Sequence, residues 1–414
     1  METKQIVIIG GGFAGLRAFY RLHKNKHVKV TLIDKRLTSV EKPSLPEVAF
    51  SGKHVEDVLL DLNKIITHKG GKYINGDVVK INPDLKHIHL LDGQKIEYDY
   101  LIITSGAIKD YNAIKGFEKY GDSMCDDTHA AKLWEKLKDF KGGNIVMGTA
   151  KSVFGSRVKA PKLIAPCEGP IGEAMFMIDH MLRKKNLRNK STITVFTPGE
   201  IFFEDVGDHV RNGVGKVMQE RDIKLLKSKV VTEITKDKIL FEDNTALESD
   251  LSIVIPPYKA AVLFKNAGLG DEAGFIPTDT TMKHLDYDSI YAAGDINALA
   301  QPKLGHIAIH QADIACSAIL KEITGEGEVI KFEPSIFCIM NMGGNDATLI
   351  FSNKLYNGKN DLVFHSPLAH LMKWGFDSYY FYTQGHMPPD FSMIGMEKFL
   401  KLFKEDPDKE IPFE

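Results

Sequence analysis

Residues 4–16 have the sequence KQIVIIGGGFAGL, an apolar run followed by a glycine turn and the expected start of a helix. Gly10, Gly12 and Gly15 fill the pattern G-x-G-x-x-G. In a dinucleotide-binding unit the first glycine allows a tight turn, the second lets a pyrophosphate approach the backbone, and the third lets helix and strand pack closely. The helix N-terminus would face the phosphates with the positive end of its dipole. This stretch therefore predicts a dinucleotide site at the start of an α/β fold.

The segment that follows supports this prediction. We expect a helix from Ala14 to Leu22 and then a second apolar strand, VKVTLID, which ends at Asp34. An acidic residue about 20 positions after the glycines, at the end of a strand, can hold the two hydroxyls of a ribose. The alternative is a structural turn with a surface aspartate, and the strand–turn–helix context favours the binding site.

The composition limits the class of protein. The chain has 414 residues, of which 43% are hydrophobic and 26% charged, with 53 basic and 55 acidic side chains. This length exceeds one ordinary core, so we expect two or three domains. The balanced charge argues against a nucleic-acid partner. Neither a membrane-spanning apolar run nor a cleavable signal peptide is expected, which indicates a cytoplasmic chain.

The four cysteines do not resemble the disulfide framework of a small secreted domain. They are widely spaced and contain no C-x-x-C pair, so no metal site is expected. The default for an isolated cysteine is a small buried hydrophobe. Cys316 fits that default because it falls on the apolar face of a helix expected over residues 307–323.

Two later segments resemble further signatures of the disulfide-reductase-like flavoproteins, which carry two dinucleotide-binding domains. They are YDYLIITSGA at residues 98–107 and IYAAGDINAL at residues 290–299. In that family the Gly-Asp carboxylate holds the ribityl chain of FAD, so the resemblance gives this role to Asp295; the alternative is a loop aspartate after a buried strand. The resemblance implies an FAD site made by Gly10, Gly12, Phe13, Ala14, Gly15, Asp34, Lys35, Pro43, Val79, Ser105, Gly106, Gly294, Asp295, Lys303 and Gly305.

The segment after residue 300, QPKLGHIAIHQADIACSAIL, predicts a loop and then a helix. The N-terminus of such a helix would point at the flavin and stabilise its reduced, anionic form. Lys303 in the loop either adds positive charge there or is solvated.

The middle of the chain begins as a second dinucleotide unit and then departs from it. The strand NIVMGTA is followed by about 16 residues without the glycine pattern before Cys167 is reached. The strand TITVF then ends at Thr197, where an acid would normally hold a ribose. We expect this domain to have kept the fold and lost the nucleotide.

Taken singly, the other three cysteines share this default, but a flavoprotein without a nicotinamide site needs another electron donor, and three thiols together are candidates. Cys167 precedes a helix expected over residues 171–183, and a thiol ahead of a helix N-terminus tends to be ionised. Cys125 opens another helix, with His129 one turn later. Cys338 lies in an apolar strand before a Gly-Gly turn.

These cysteines together resemble the sulfide:quinone oxidoreductase family. The matching features are C-x-G-P-x-x-E at residues 167–173, the C-x-x-x-H helix start and the late third cysteine. IPPYKA at 255–260 and KPSLPEVAFSG at 42–52 are similar to that family's segments around the flavin. The chain departs from the family after residue 197, where a histidine is usual. The segment IFFEDVGD has none, and Glu204 is the nearest ionisable candidate.

The resemblance implies a mechanism in which Cys167 and Cys338 are bridged beside the flavin. Hydrosulfide would attack one sulfur, with Cys167 as the sulfur acceptor and Cys338 as the thiol on the flavin side. Cys125 would help release polysulfide or lie close to the flavin 8-methyl. Glu173, expected in the first turn of its helix, and His129 are candidate proton carriers.

The C-terminal segment has an unusual composition, with 11 aromatic residues in positions 361–414. We expect a helix starting at Pro367 and a second within FSMIGMEKFLKLFK, with lysines opposite its apolar stripe. The stripes either pack in the core or form an interfacial helix pair in one membrane leaflet. Phe376, Tyr379 and Lys373 are candidate quinone-site residues, and the first stripe is expected to contain Leu368, Leu371, Met372, Phe376 and Tyr379.

The predicted fold class is α/β, with two Rossmann-like domains and a C-terminal aromatic-rich, membrane-associating segment. An FAD-binding domain is expected at 1–120 and 256–330, a second Rossmann-like domain at 121–255, and a flavin-covering region at 331–414. The predicted enzyme is a monotopic homo-oligomer on the cytoplasmic face of the membrane that oxidises sulfide and reduces a quinone. The alternatives are a type II NADH:quinone oxidoreductase, a flavocytochrome-type sulfide dehydrogenase subunit and a non-enzymatic flavin-binding regulator.

Overall fold

The computed structural model describes residues 2–388 of the chain. Its strands, in chain order, are β1 (Lys4–Ile9), β2 (Val28–Asp34), β3 (Thr38–Val40), β4 (Leu59–Asp61), β5 (Lys72–Asn75), β6 (Val78–Asn82), β7 (His87–Leu90), β8 (Lys95–Glu97), β9 (Tyr100–Ile103), β10 (Ile108–Lys109), β11 (Gly121–Asp122), β12 (Gly143–Thr149), β13 (Ser191–Phe196), β14 (Ile223–Leu226), β15 (Val231–Ile234), β16 (Lys238–Phe241), β17 (Ala246–Glu248), β18 (Leu251–Ile255), β19 (Tyr258–Lys259), β20 (Ile290–Ala292), β21 (Ile336–Gly343), β22 (Asp346–Ser352) and β23 (Asp361–His365).

The α-helices alternate with these strands through most of the chain. In chain order they are α1 (Phe13–Leu22), α2 (Leu45–Ser51), α3 (Leu62–His68), α4 (Phe117–Tyr120), α5 (Asp127–Asp139), α6 (Gly169–Lys184), α7 (Asp208–Glu220), α8 (Val262–Asn266), α9 (Gly305–Thr324) and α10 (Pro367–Tyr382).

Five parallel strands in the order β20–β9–β1–β2–β5 form the first sheet. Successive side chains of β1 point to opposite faces. Ile6 and Ile8 pack with α1 and α9, whereas Val7 and Ile9 pack with the antiparallel sheet β6–β7–β8. Both faces are covered, which explains the continuous apolar run of β1. Because β20 is the edge strand, residues 290–292 complete a sheet that begins at residue 4.

The second sheet repeats this plan with five parallel strands in the order β11–β18–β12–β13–β14. Ile145 and Met147 of β12 pack with α5, α6 and α7, whereas Val146 between them packs with the antiparallel sheet β15–β16–β17. The prediction of two Rossmann-like domains is therefore confirmed. The domain boundaries at residues 120, 255 and 330 stay predictions.

The C-terminal part adds another antiparallel sheet, β21–β22–β23, which is called the third sheet because it follows the two parallel ones. One side of this sheet packs on α10, and β21 also runs along α6 of the middle domain. Within residues 2–388, no helix has the length and apolarity needed to cross a bilayer.

Asp361, the first residue of β23, ties this sheet to the N-terminus of α7. Its carboxylate accepts hydrogen bonds from the backbone N–H groups of Gly207 at 2.8 Å and His209 at 2.9 Å. The first N–H groups of a helix have no partner within the helix, so a carboxylate there satisfies them and complements the helix dipole. Asp361 therefore caps α7 and joins that helix to β23.

Replacing Asp361 with alanine should lower the free energy of unfolding by about 1–2 kcal/mol, because the first turn of α7 loses its cap. A urea titration followed by tryptophan fluorescence measures this change. Lys359→Ala removes an exposed side chain from the preceding loop and should shift stability by less than about 0.5 kcal/mol. Equal stability of Asp361→Ala and wild type would contradict the role of the cap.

Candidate active site

The glycine turn after β1 forms a cradle that is crowded on one side and open on the other. Gly10 has φ +107°, and a Cβ built there would lie 2.5 Å from the Thr104 carbonyl oxygen. A Cβ at Gly15 would lie 1.8 Å from the Gly10 oxygen, so α1 packs on β1 as the sequence predicted. At Gly12, by contrast, no atom of the described chain lies within 4 Å of the Cβ position. This open side faces away from the fold at the N-terminus of α1, which starts at Phe13.

Asp34 is held beside this turn at the end of β2. Its Oδ2 accepts a hydrogen bond from Gly11 N at 2.6 Å, and its Oδ1 accepts one from Arg36 N at 2.7 Å. Gly76 N donates to the Asp34 carbonyl oxygen, which brings the start of β6 and the exposed Val79 to the same edge of the sheet. Lys35, next to Asp34, is exposed. This edge therefore offers a fixed carboxylate and an open face for a ribose.

A second open helix N-terminus lies at α9. Within residues 2–388, no side chain caps this helix, and no atom lies within 4 Å of a Cβ built at Gly305. Gly294 has φ +81°, and its N–H donates to Gln311 Oε1, which fixes the turn after β20 against α9. The Cβ position of Gly106, after β9, is also open among the described residues. Two uncapped helix N-termini with open glycines fit a cofactor that carries a pyrophosphate and a flavin ring.

Asp295 lies next to this second opening among three lysines. Its Oδ2 is 3.8 Å from Lys109 Nζ and 4.0 Å from Lys42 Nζ, and its side chain is 15% exposed. Burial opposes ionisation, but the charges of Lys42, Lys109 and Lys303 together lower the pKa of Asp295. Pro43 follows Lys42 in a short 3-10 helix and is half-buried. Asp295 is therefore an anion at the position predicted for a ribityl contact.

Lys303 is not solvated, which excludes that alternative. Its Nζ donates to the Asn297 carbonyl oxygen at 3.1 Å and lies 4.3 Å from the centre of the Phe275 ring. Burial lowers the pKa of Lys303 to about 7. A lysine with such a pKa can change its charge near neutral pH.

Cys167 and Cys338 line one narrow cavity, although Cys167 belongs to the middle part of the chain and Cys338 to the C-terminal part. Its remaining lining residues are Gly169, Phe203, Asp205, Val206, Leu304, Ile336 and Ile350. A Cβ built at Gly169 would lie 3.8 Å from the Cys167 sulfur and 3.6 Å from the Cys338 sulfur. The distance between the two sulfurs therefore cannot exceed the sum of these two distances. All four cysteines are described, and each carries a free thiol.

The expectation that Cys167 is ionised was wrong. Helix α6 begins at Gly169, and the Gly169 N–H does donate to the Cys167 sulfur, but burial outweighs it and raises the pKa of Cys167 well above the usual range. Burial likewise raises the pKa of Cys338 to about 12. Both free thiols are therefore protonated at neutral pH. The early start of α6 also places Glu173 just beyond the first turn, not within it.

Cys125 and His129 are not arranged as a thiol–imidazole pair. His129 Nδ1 lies 2.9 Å from Asp126 Oδ2, and its ring stacks on Tyr111 at 4.0 Å. Asp126 is the cap of α5, so His129 is held by the carboxylate of its own helix start. Burial raises the pKa of Cys125, whose neighbours include Lys109. Cys316 is buried and donates to the Ala18 oxygen, as the default for an isolated cysteine predicts.

Glu168 lies at the carboxyl end of β13, where a dinucleotide-binding domain usually has a ribose-binding acid. Its Oε1 accepts from the Thr197 hydroxyl at the end of β13, and its Oε2 accepts from Phe203 N, both at 2.6 Å. Burial raises the pKa of Glu168 to about 8. Sequence reasoning recognised that an acid is missing after β13 but not that Glu168 supplies a carboxyl from the other side.

Glu204 does not take part in the cavity. Its Oε1 accepts from the backbone N–H groups of Ile164 and Ala165, so this carboxyl fastens the long segment that replaces the glycine turn. Glu204 as the nearest ionisable candidate for the missing histidine stays a prediction, and this carboxyl is not among the residues that line the thiol cavity. The neighbouring Asp205 lines the cavity instead, and sequence reasoning missed it.

A buried ion pair joins two residues that the sequence assigned to different roles. Lys373 Nζ lies 2.6 Å from Glu173 Oε1, and both side chains are less than a tenth exposed. Burial disfavours the ammonium, but Glu173 and the carboxyl groups of Asp377 and Glu47 raise the pKa of Lys373. Lys373 is therefore a fixed cation inside the fold.

Two further acids lie beside this pair. Glu41 is fully buried, and burial and the charge of Asp377 raise its pKa to about 7. Burial also raises the pKa of Asp377 to about 6. One oxygen of each carboxyl has no hydrogen-bond partner in the described part of the chain. Sequence reasoning did not identify either acid.

Residues 4–312 match the family described as pyridine nucleotide-disulphide oxidoreductase. The chain belongs to this family. The sulfide-quinone reductase of Aquifex aeolicus is 25% identical, and the alignment covers 97% of this chain and 96% of that protein. The mitochondrial sulfide:quinone oxidoreductase of Mus musculus is 23% identical over 83% of this chain and 77% of its own length. The type II NADH:quinone oxidoreductase of Staphylococcus haemolyticus is 21% identical over 86% of this chain and 92% of its own.

The fold of this pyridine nucleotide-disulphide oxidoreductase is shared with a solved relative. The crystal structure of the sulfide:quinone oxidoreductase from Aquifex aeolicus superimposes with a TM-score of 0.85 and 23% sequence identity, covering 96% of each chain. These comparisons confirm the resemblance that the cysteine motifs indicated. They also confirm the α/β fold class.

Helix α10 of this oxidoreductase has an inverted polarity. Its buried residues are Ala369, Lys373, Asp377 and Tyr380. Its exposed residues include Leu368, Leu371 at 57% exposed, Trp374 at 62% and Tyr382 at 89%. The inner face thus carries two charges, and the outer face carries large apolar side chains.

The predicted stripe on α10 does not form one face. Leu368 and Leu371 are exposed, Met372 packs towards the third sheet, and Phe376 stacks on Tyr380 at 6.0 Å. Tyr379 is half-buried. The second predicted helix, in FSMIGMEKFLKLFK, lies outside the described residues.

Glu41 makes the stability of the fold depend on pH. The folded protein holds the Glu41 proton up to a pKa of about 7, whereas the unfolded chain releases it near 4.5. The contribution of Glu41 to the free energy of unfolding should therefore be largest below pH 4.5. It should decrease as the pH rises towards 7, by a total on the order of 1–3 kcal/mol. Glu41→Gln should flatten this dependence in urea titrations between pH 5 and 8. Glu118→Gln, which removes an exposed carboxyl, should keep the wild-type slope. An unchanged slope in Glu41→Gln would contradict the assignment.

Proposed function

We propose that this chain is a FAD-dependent enzyme that oxidises sulfide to polysulfide and delivers the electrons to a membrane quinone. The observation that carries the proposal is the pair of thiols, Cys167 and Cys338, which line one narrow cavity of the structure. The printed names of the relatives from Aquifex aeolicus and Mus musculus support the same reaction for this chain.

FAD would supply a two-electron carrier between sulfide and quinone. We assign it to the open cradle along the first sheet, where Gly12 and Gly305 leave space at the N-termini of α1 and α9. Asp34 would hold the adenosine ribose, and Asp295 the ribityl chain. The three lysines around Asp295 make this end of the cradle positive, which suits a cofactor that gains negative charge on reduction.

The cysteines would carry the sulfur. In a bridged Cys167–Cys338 form, hydrosulfide attacks the Cys167 sulfur, the S–S bond breaks, and Cys338 leaves as a thiolate. Cys167 then holds a persulfide and Cys338 a thiolate. Closing these two groups into a bridge that is one sulfur longer releases two electrons, which bound FAD would accept, and a further hydrosulfide can then attack the lengthened bridge. The apolar lining from Leu304, Ile336 and Ile350 excludes water, which protects the persulfide from hydrolysis and strengthens local electrostatic interactions.

A nicotinamide cofactor is the rival electron donor, because the type II NADH:quinone oxidoreductases are also relatives. Glu168 argues against it. Its buried carboxyl is hydrogen-bonded to Thr197 and Phe203 where a dinucleotide would need free donors. The middle domain therefore lacks the open cradle that the first domain has.

We further propose that α10 lies at the membrane surface and borders the quinone. Its outer face exposes Leu371 and Trp374, which a bilayer interface would bury. Its inner face presents Lys373, paired with Glu173, as a cation that can stabilise a reduced quinone oxygen. Phe376 and Tyr379 lie on the same helix within reach of that region. Attachment on the cytoplasmic side and assembly into a homo-oligomer stay predictions from the sequence.

Serine at Cys167 or Cys338 should abolish the bleaching of the flavin absorbance by sulfide, because each variant removes one end of the sulfur bridge. An anaerobic titration of the purified protein, first with sulfide and then with NADH, measures this. Cys316→Ser is the matched control, since that thiol is buried between α1 and α9 and should leave bleaching intact. Bleaching of both cysteine variants would contradict the sulfur scheme.

Bleaching of wild type by NADH and not sulfide would favour the type II activity, and no bleaching by either would favour a flavin-binding regulator.

Glutamate at Leu371 or Trp374 should weaken binding to liposomes by about tenfold or more, since burying one large apolar side chain contributes about 1.5–3 kcal/mol. Co-sedimentation with vesicles of phosphatidylcholine and phosphatidylglycerol measures the partition coefficient. Leu91→Glu changes another exposed leucine, on the β7–β8 turn, and should have no effect. Equal loss in the control would show that the effect is charge alone and not the position on α10.

A further inference from the structure

Asp205 is a buried carboxyl inside the sulfur cavity that the mechanism above does not use. It is 6% exposed and lines the same cavity as Cys167 and Cys338. Its Oδ1 is buried and has no hydrogen-bond partner within residues 2–388, so one oxygen of the carboxyl is an unsatisfied acceptor. The rest of the lining is mostly apolar, as the residues named for this cavity show.

The surroundings leave Asp205 poised between its two protonation states. Burial raises the pKa of Asp205 to about 6. The negative charge of Glu204 also raises this pKa, whereas the Asp205 backbone N–H and the positive charge of Arg211 lower it. Its charge in turn raises the pKa of nearby groups. The titratable groups that face it are Cys167, Cys338, Tyr356, Glu168, Glu204 and Arg211.

The polarity of the cavity decides the form in which sulfide enters. Moving an anion such as hydrosulfide from water into an apolar cavity is strongly unfavourable unless a cation or hydrogen-bond donors contact it there. Transfer of neutral hydrogen sulfide into the same cavity has almost no such cost. The neutral molecule, however, is a poor nucleophile. A base inside the cavity would let sulfide enter as the neutral molecule and react as the anion.

We propose that the Asp205 carboxylate takes the proton from neutral hydrogen sulfide inside this cavity and so forms the hydrosulfide nucleophile beside Cys167. The inference rests on the proposed sulfide oxidation and adds a catalytic residue to it. In this step the S–H bond breaks, an O–H bond forms at Oδ1, and the electron pair stays on sulfur. No group is oxidised or reduced. The cavity holds one negative charge before and after the transfer, so no additional charge is buried.

The test is rapid anaerobic mixing of the FAD-loaded enzyme with sulfide between pH 6 and 8. We expect Asp205→Asn to slow flavin bleaching on the order of a hundredfold near pH 6.5, with partial recovery at higher pH where solution supplies hydrosulfide. Asp205→Glu should restore part of the rate. Glu200→Gln, which removes an exposed carboxyl from the loop after β13, should match wild type.

A second measurement separates a lost base from a disturbed fold. In the reduced protein, Asp205→Asn should speed the alkylation of Cys167 and Cys338 by iodoacetamide at pH 8, measured by mass spectrometry. The reason is that the carboxylate raises the pKa of both thiols, and its removal increases the thiolate fraction. Bleaching and alkylation should thus change in opposite directions.

The outcomes distinguish this inference from the function on which it rests. If wild type is bleached by sulfide and Asp205→Asn keeps the same rate and pH profile, the base is overturned and the proposed function stands. If alkylation in Asp205→Asn is equal or slower, the carboxylate does not act on the thiols, and the inference is again overturned. If sulfide does not bleach wild type at any pH, the proposed function itself is wrong.

Discussion

The close approach of α6 and β21 is the constraint on which the candidate site depends. Gly343 of β21 permits it, because a Cβ there would lie 2.2 Å from the Cβ of His180 on α6. At one end of this contact Cys338 reaches the cavity of Cys167, and further along it β21 donates a backbone N–H to Glu173. A single close-packed contact therefore sets both the sulfur cavity and the buried ion pair with Lys373. The two ends of the proposed reaction, the thiols and the quinone side, share one rigid support.

The same packing excludes water, and burial then decides where protons are held. The carboxyl groups of Glu168, Asp205 and Glu41 all have a raised pKa with burial as the largest cause. Lys373 is the exception among the buried groups near α10, because the carboxyl groups around it outweigh burial. A reaction that releases protons from sulfide and delivers protons to a quinone needs such buried acids with pKa values near neutral. The structure places one beside the thiols and another beside α10.

The two Rossmann-like domains show how one architecture can carry different side chains at the same edge of its sheet. In the first, Gly12 leaves open space at the N-terminus of α1. In the second, the turn after β12 is replaced by a long segment, and Glu168 closes the position at Thr197. Both sheets have the same strand arrangement and the same covering layers, so the fold alone does not decide what is bound. The side chains at the carboxyl edge of each sheet decide it.

The sequence by itself determined the features that depend on local spacing. The glycine turn, the paired parallel sheets and the cysteine motifs follow from patterns within about 30 residues. Only the tertiary structure decided the rest, because it depends on contacts between distant segments. The ionisation of Cys167 was mispredicted since its burial outweighs the nearby helix N-terminus. The faces of α10 were mispredicted since Lys373 finds its partner, Glu173, on a helix 200 residues away. Charge and burial are set by neighbours in space, and a local pattern does not contain them.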